Sequence, residues 1–256
     1  ITDLRQGRVI FVGDAERRIN EDYLRILRYF RFLAHFGRGT PDAAALHACQ
    51  KGAANLRKLS GERVRQEVLR LLEAPLCAAT WHLMLQAGVV THILPEATDW
   101  KRLEHLVTLE SRFEAPLFPL RRLASLMIVT PEGLRHAVQS LKLSAAEGAQ
   151  LFSMIKYAGD VSPYTDDRDM RRIVYQHGND MAHSLVLLAA ADKGAGGNLD
   201  NLYDIAVGFR PPRLPVTGAD VMALGVKSGP DVGHLLSSVE NWWLAGDFKA
   251  GRDACL

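Results

Sequence analysis

Asp22 and Arg25 place a carboxylate and a guanidinium three residues apart, a pair that could recognise another molecule through hydrogen bonds. Side chains three residues apart are neighbours on one face of a helix. A carboxylate only accepts hydrogen bonds and a guanidinium only donates them, so this pair matches the amino group and ring nitrogen of cytosine or adenine. Guanine and uracil present the reverse order and would leave bonds unmade, at about 1–3 kcal/mol each. The pair predicts a surface that selects C and A, although an ordinary surface ion pair has the same spacing.

One amphipathic helix is predicted to position this pair. Asn20 is the expected N-cap, with Glu21 and Asp22 in the first turn, and the helix should end before Gly37. A turn of about 100° per residue separates an apolar face from an arginine face. The apolar face comprises Tyr23, Ile26, Leu27, Phe30, Leu33 and Ala34, and the other comprises Arg25, Arg28 and Arg31.

Almost all of the remaining chain has helical periodicity, which predicts an all-α fold. The exceptions are a short strand at 9–12, a loop at 193–198 and a rigid proline-rich linker at 210–215. Further helices are predicted at 42–58, 60–73, 78–87, 100–112, 117–129, 132–141, 145–158, 167–176 and 180–191. The run Asp166–Asp169 is interpreted as the capped start of a helix rather than as a metal site.

Composition narrows the class of protein. A net charge of +2 over 256 residues predicts no partner by itself, so clustered arginines must carry any nucleic-acid argument. Cys49, Cys77 and Cys255 lie far apart, which argues against a disulfide framework or zinc site. There is no apolar run of about 18 residues and no signal peptide, and a cytoplasmic location is expected. The chain begins at Ile1, and we expect a further segment upstream.

Four ordered motifs carry a resemblance to a known family. They are Glu21-Asp22-x-x-Arg25, Ser60-x-Glu62-Arg63-x-x-x-Glu67, Gly88-Val-Val with Leu94-Pro-Glu96, and a glycine-rich segment at 216–236. Together they resemble the region that follows the catalytic head domain in class II tRNA nucleotidyltransferases (CCA-adding enzymes) and bacterial poly(A) polymerases. The resemblance is dense over residues 3–96 and returns in the C-terminal tail.

The resemblance implies a curved, all-α array with a short β segment at its N-terminus. Its parts would be the end of the head at 1–18, a neck at 19–115, a helical body at 116–209 and a tail at 210–256. Asp22 and Arg25 match the positions that select ATP and CTP, and Arg28 could face the nucleotide. Glu21, Arg63 and Glu67 are expected to support the neck, although Arg63 and Glu67 could equally form an ion pair within one helix.

RNA contact is a sequence-independent electrostatic task that exposed basic groups could perform. The candidates are Arg57, Lys58, Arg121, Arg122, Lys227, Ser228 and Gly229, the last three beside a helix that should begin at Pro230. Of the neighbouring Trp242 and Trp243, one is expected to lie in the core.

The family's catalytic signature, a glycine-serine turn followed by paired metal-binding aspartates, has no match here. Mg²⁺ is therefore expected in the head domain, and this chain alone should need no cofactor and be inactive. The predicted function is nucleotide selection and tRNA binding within an enzyme that adds CMP and AMP to tRNA 3′ ends. A poly(A) polymerase is the alternative within the family, and a non-catalytic helical RNA-binding module is the alternative from another class.

Overall fold

A computed structural model describes residues 6–128, 130–193 and 196–256, and its regular structure is helical. The first nine α-helices are α1 (Ala15–Glu21), α2 (Leu24–Phe36), α3 (Ala43–Gly52), α4 (Gly61–Leu72), α5 (Cys77–Gln86), α6 (Trp100–Arg112), α7 (Pro119–Leu126), α8 (Pro131–Ser140) and α9 (Ala145–Tyr157). The later ones are α10 (Asp167–His177), α11 (Asn179–Lys193), α12 (Leu199–Gly208), α13 (Gly218–Ala223), α14 (Pro230–Ala245) and α15 (Arg252–Cys255). Short 3₁₀ segments cover Ala53–Lys58, Val90–His92 and Ala158–Asp160. The all-α prediction is confirmed.

The predicted strand at residues 9–12 is wrong. In the described part of the chain, β pairing is limited to one isolated bridge between Ala97 and Met127. A strand needs a neighbour to satisfy its backbone groups, and residues 9–12 have none among those described. Instead the Phe11 ring stacks on Tyr29 of α2, with ring centroids 5.4 Å apart. The apolar run thus packs through a side chain rather than through a sheet.

Most predicted helices are found within about two residues of their expected ends, because the sequence has recognisable capping residues there. Asp166 accepts a hydrogen bond from the Asp169 amide and begins α10, as expected. Gly37 ends α2, and Pro230 is the first residue of α14. The helix predicted at 117–129 is shorter and spans Pro119–Leu126. Residue 129 of that prediction lies outside the described residues, as do residues 194–195 of the predicted loop. Helix α12 was not predicted.

The chain divides into two compact units. One comprises Ile1–Asp160 with Leu187–Ala195, and the other comprises Val161–Val186 with Gly196–Leu256. The predicted boundaries at 115 and 209 concern functional segments and stay predictions. No helix among the described residues combines the length and apolarity that crossing a membrane requires.

The core of the first unit forms where α2 packs against α4 and α5. Phe30 and Ile26 of α2 are completely buried, as the helical period predicted, and Val68 of α4 lies in the same unit's core. The indole of Trp81 in α5 is also buried, and its N–H donates to the Ala97 carbonyl at 2.9 Å. This packing buries the apolar face of α2 and leaves Arg25 and Arg28 at least partly exposed.

The second unit has a smaller core around its C-terminal helices. Val216, Trp243, Leu244 and Cys255 form a buried cluster, and the Trp243 indole donates to the Ala250 carbonyl at 3.0 Å. Trp242 is exposed, so the expectation that one of the two tryptophans is core is confirmed.

Candidate nucleotide-recognition site

The site begins at a break between two helices rather than inside one. Helix α1 ends at Glu21, and Asp22 adopts an extended conformation with φ −157° and ψ 109°. The predicted N-cap at Asn20 is therefore wrong: Asn20 lies within α1, which Asp14 caps through the Arg17 amide at 2.7 Å. Asp14 and Asn20 are both residues that favour the start of a helix, and they lie six positions apart. Asp14, the earlier of the two, begins a helix of its own.

Asp22 ends α1 and also contacts the start of α2, whose N-cap is Tyr23. Its Oδ1 accepts from the Leu24 amide at 3.1 Å, and its carbonyl accepts from the Arg25 amide at 3.1 Å. Its Oδ2 accepts from Arg63 Nη2 of α4 at 2.8 Å. The carboxylate is thereby held from its own helix start and from the neighbouring helix.

Arg25 is held by two groups of α1. Its Nη1 donates to Glu21 Oε2 at 2.6 Å and to the Arg18 carbonyl at 2.7 Å. The hydrogen bond from Arg25 lowers the pKa of Glu21 below its ordinary value, helped by the nearby positive charge of Arg18. A Glu21 that stays ionised keeps the Arg25 guanidinium in one orientation.

Glu67 joins the arginine face of α2 to α4. Its carboxylate is only 4% exposed and accepts from Arg28 Nε at 3.2 Å and from Arg31 Nε at 2.6 Å. Arg63 and Glu67 therefore pair across to Asp22 and to the arginines of α2, and not with each other. Periodicity placed Arg31 on this face, but its role as the closer partner of Glu67 was missed, because nothing in the sequence says which arginine meets α4.

The arrangement leaves hydrogen-bonding capacity free on both members of the candidate pair. Nε and Nη2 of Arg25 have no hydrogen-bond partner among the described residues, and these atoms are donors. Each oxygen of Asp22 accepts one hydrogen bond, and a carboxylate has about four acceptor sites. Both side chains are partly exposed. Asp22 thus keeps acceptor capacity and Arg25 keeps donors, on side chains that neighbouring residues hold.

The predicted RNA contacts of Arg121 and Arg122 are wrong. Both guanidiniums are buried, at 0% and 7% exposure, and both bind the buried carboxylate of Glu110. Arg122 Nη1 also donates to the Leu72 carbonyl at 2.6 Å, and Arg121 Nη2 donates to the Pro116 carbonyl at 2.7 Å. These arginines tie α6 to α7 inside the first unit and cannot reach a phosphate.

The other predicted RNA contacts lie on the surface. Arg57 and Lys58 are exposed at the end of the 3₁₀ segment that precedes α4, and Lys58 Nζ lies 5.6 Å from the centre of the Tyr23 ring. Lys58 therefore stands beside the candidate site.

In the second unit, Lys227, Ser228 and Gly229 are exposed immediately before α14. Gly229 has φ 154° and ψ −167°, a conformation that only glycine adopts readily, and it starts the helix at Pro230. RNA contact at these three residues stays a prediction.

No group of three or more His, Cys, Asp or Glu side chains that could hold a metal ion occurs within residues 6–128, 130–193 and 196–256. The three cysteines are free and buried.

Comparison with known proteins gives a match to one family and to full-length relatives. Residues 40–101 match the family described as "Probable RNA and SrmB- binding site of polymerase A". The mitochondrial CCA tRNA nucleotidyltransferase 1 of Mus musculus is 30% identical over 99% of this chain and 58% of its own length. The CCA-adding enzyme of Streptococcus mutans is 26% identical over 100% of this chain and 64% of its own length. The chain thus spans about three fifths of the length of the curated relatives it matches.

Solved structures show the same fold. The Bacillus stearothermophilus CCA-adding enzyme in complex with CTP aligns with a TM-score of 0.73 at 22% identity, over 96% of this chain and 63% of that one. The Thermotoga maritima CCA-adding enzyme complexed with tRNA-CCA aligns with a TM-score of 0.63 at 16% identity, over 99% and 64% of the two chains. These solved structures share the fold of this chain, and the curated relatives that it resembles along nearly its whole length are CCA tRNA nucleotidyltransferases and CCA-adding enzymes.

Proposed function

We propose that this chain is the nucleotide-selecting and tRNA-binding part of an enzyme that adds CMP and AMP to tRNA 3′ ends. The observation that carries the proposal is the Asp22–Arg25 pair, which offers a free acceptor and a free donor from side chains that Arg63 and Glu21 hold in place. Relatives that match along nearly the whole chain are CCA tRNA nucleotidyltransferases, which supports this assignment.

Selection follows from the order of donors and acceptors. Asp22 accepts from the exocyclic amino group of cytosine or adenine, while the free donors of Arg25 bind the adjacent ring nitrogen. Guanine and uracil place a carbonyl opposite Asp22 and an N–H opposite Arg25, so like groups face each other. Each bond left unmade costs about 1–3 kcal/mol, which corresponds to a loss of about fivefold to a hundredfold in binding.

Rigidity is what the surrounding residues contribute. Asp22 could rotate away from the base if only its own helix held it, and the bond from Arg63 restricts that rotation. Glu21 and the Arg18 carbonyl do the same for Arg25. Holding the two groups before the nucleotide arrives lowers the entropy lost on binding. We therefore assign Glu21, Arg63 and Glu67 as positioning residues and Arg28 as a neighbouring group that can face the nucleotide.

Transfer chemistry would come from another part of the full-length protein. Mg²⁺ held by carboxylates of a head domain would supply it, so we propose that this chain alone selects nucleotides without transferring them. The RNA partner would be bound by Arg57 and Lys58, which lie within the matched family region, and by the segment Lys227–Gly229. We also propose that the protein acts in the cytoplasm, although some relatives are mitochondrial.

A poly(A) polymerase is the second candidate, because the matching family description names polymerase A. It would use the same Asp22–Arg25 geometry with ATP and would differ in its RNA substrates and product. A non-catalytic RNA-binding module remains a third class, and it would show RNA binding without any nucleotide preference.

The test uses the protein encoded by the complete reading frame. It is incubated with Mg²⁺, tRNA lacking its terminal CCA, and each nucleoside triphosphate in turn. We expect C and then A to be added, with Asp22→Ala and Arg25→Ala losing the choice of base while still binding tRNA. Extension of any RNA with A alone would favour the poly(A) polymerase, and full selectivity in both variants would refute the base-reading role.

The control variant is Arg17→Ala. Its side chain lies on α1 near the site, but only the Arg17 backbone amide takes part in the capping interaction. It should keep the wild-type choice of base. Incubation of residues 1–256 alone with the same substrates checks the proposed inactivity, and any incorporation would contradict it.

A further inference from the structure

Helix α2 carries an exposed aromatic pair on the same face as the nucleotide-reading arginine. Phe32 is 42% exposed and Phe36 is 51% exposed, and their ring centroids lie 6.2 Å apart in a stacked arrangement. With about 3.6 residues per turn, positions 25, 32 and 36 fall within about 20° of one line along the helix. Two large apolar side chains thus continue the line on which Arg25 lies.

The two rings are supported by planar groups that α4 anchors. Arg31 lies over the Phe32 ring, with Cζ 4.5 Å from its centre, and Arg31 Nε is bound by the buried Glu67 at 2.6 Å. The His35 ring contacts Phe36 at 5.7 Å, and His35 Nε2 lies 3.0 Å from the Arg70 carbonyl. An exposed side chain without neighbours can change rotamer freely. Here Arg31 contacts the Phe32 ring and His35 contacts the Phe36 ring, while a large part of each ring stays in solvent.

Charge around the rings favours a nucleic acid over an apolar protein surface. Arg28, on the same side of α2, is 53% exposed, and Arg31 covers one ring of the pair. Interleaved aromatic and basic side chains are the pattern by which proteins bind unpaired nucleotides, with bases stacked on rings and phosphates near cations. A protein partner that buried this face would have to desolvate Arg28 as well.

Distance along the helix fits the RNA that receives the nucleotide. Phe32 is seven residues beyond Arg25, which is about 10 Å at 1.5 Å per residue. Stacked nucleotides repeat at about 3.4 Å along a strand, so about three of them span this distance. A base read at Arg25 therefore places the preceding unpaired nucleotides of the acceptor within reach of Phe32 and Phe36.

We propose that Phe32 and Phe36 form a stacking platform for unpaired bases at the 3′ end of the RNA substrate. The proposal rests on the proposed function, because it requires the RNA end to approach Arg25. It concerns RNA binding alone, and no nucleotide or metal is needed to observe it.

The experiment measures binding of two RNA hairpins with identical stems, one blunt and one with four unpaired 3′ nucleotides. A 2-aminopurine in the overhang reports stacking through its fluorescence, and anisotropy of a 5′ label reports affinity. The variants of the full chain are Phe32→Leu, Phe36→Leu and Phe32→Trp. The matched control is Phe152→Leu, since Phe152 is 45% exposed in α9 and lies outside α2.

We expect each leucine variant of the pair to bind the overhang hairpin about five- to a hundredfold more weakly, the range observed when an aromatic–base stack is lost. Binding of the blunt hairpin should be unchanged, Phe32→Trp should keep the 2-aminopurine signal that the leucine variants lose, and Phe152→Leu should behave as wild type. Thermal melts check that each variant is folded. We expect wild-type melting, because these rings are exposed and leucine favours a helix.

Two results would overturn the proposal. If Phe32→Leu and Phe36→Leu bind the overhang as tightly as wild type, the pair serves apolar packing, for example against another protein surface. If both hairpins lose affinity equally, the rings do not recognise unpaired bases. A protein that stacks overhangs on Phe32 yet does not prefer C and A to G and U would retain this platform and lose the proposed function, so the two failures are distinguishable.

Discussion

Glu67 is predicted to hold α2 to α4 mainly through Arg31 and only weakly through Arg28. Its carboxylate is 4% exposed, whereas the Arg31 side chain is 17% exposed and the Arg28 side chain is 53% exposed. A hydrogen bond to a sheltered charged group contributes about 1.5–3 kcal/mol, and a solvent-exposed ion pair about 0.2–1 kcal/mol. The shorter contact, 2.6 Å against 3.2 Å, points the same way. The coupling free energy of Glu67 with Arg31 should therefore be about twice that with Arg28 or more.

Two double-mutant cycles measure this difference. One combines Glu67→Gln with Arg31→Met, and the other combines Glu67→Gln with Arg28→Met, each followed by urea denaturation and circular dichroism. Arg31→Met also removes the cation that lies over Phe32, but that loss occurs on both arms of its cycle and cancels. Glu62→Gln, an exposed change in the first turn of α4, is the matched control and should leave the free energy of unfolding within about 0.5 kcal/mol of wild type.

A coupling with Arg28 as large as that with Arg31 would refute the argument from exposure. Couplings near zero in both cycles would mean that Glu67 is solvated and that apolar packing alone joins the helices. Couplings near zero would also weaken the stacking platform, since its support by Arg31 depends on the same carboxylate.

Three further predictions follow from buried or crowded groups. Glu110→Gln leaves two buried guanidiniums without their counter-charge and should lower the free energy of unfolding by about 3–5 kcal/mol in urea denaturation, whereas Glu132→Gln, in an exposed pair, should leave it close to the wild-type value. Burial raises the pKa of Tyr175 to about 12, so its contribution to stability is complete below the unfolded pKa of about 10 and is lost as the pH rises through 12; stability measured from pH 9 to 12 should fall less in Tyr175→Phe. A Cβ at Gly61 would lie 2.2 Å from the Ser140 carbonyl oxygen, so Gly61→Ala should cost about 1–3 kcal/mol, seen as a lower melting temperature.

The sequence predicted much of α2 because one helix face decides its packing. Ile26, Leu27 and Phe30 are buried where the period placed them, while Arg25 and Arg28 remain on the outside. Burial of an apolar stripe is a local property of the pattern, so no knowledge of the partner helix was needed.

The break at Asp22 could not be predicted in the same way. Asn20, Glu21 and Asp22 are all residues that favour helix starts, and local preference does not distinguish a cap from a position inside the first turn. The deciding contact is the bond from Arg63, which lies 41 residues further along the chain and comes from another helix. A polar residue whose partner is that distant carries no local signal of its conformation.

Arg121 and Arg122 show the same limit for charge. An adjacent arginine pair in a helix normally indicates a solvated or nucleic-acid-binding surface, since charged groups are rarely fully buried. Here Glu110 lies on the preceding helix and accepts from both guanidiniums, which makes their burial possible. The sequence contains all three residues, but their meeting depends on how α6 packs against α7.

The two motifs on α2 and α4 are best understood as one structural unit. Arg63 and Glu67 are one turn apart and therefore share a face of α4, and that face meets Asp22 through one residue and Arg28 through the other. A sliding of α4 along α2 by even one turn would break both contacts together, since each depends on the same register. The orientation of the Asp22 carboxylate is thus set by helix packing as much as by its own loop. If Asp22 reads the base as we propose, substitutions in the interface between α2 and α4 should alter base selection even where they contact neither nucleotide nor RNA.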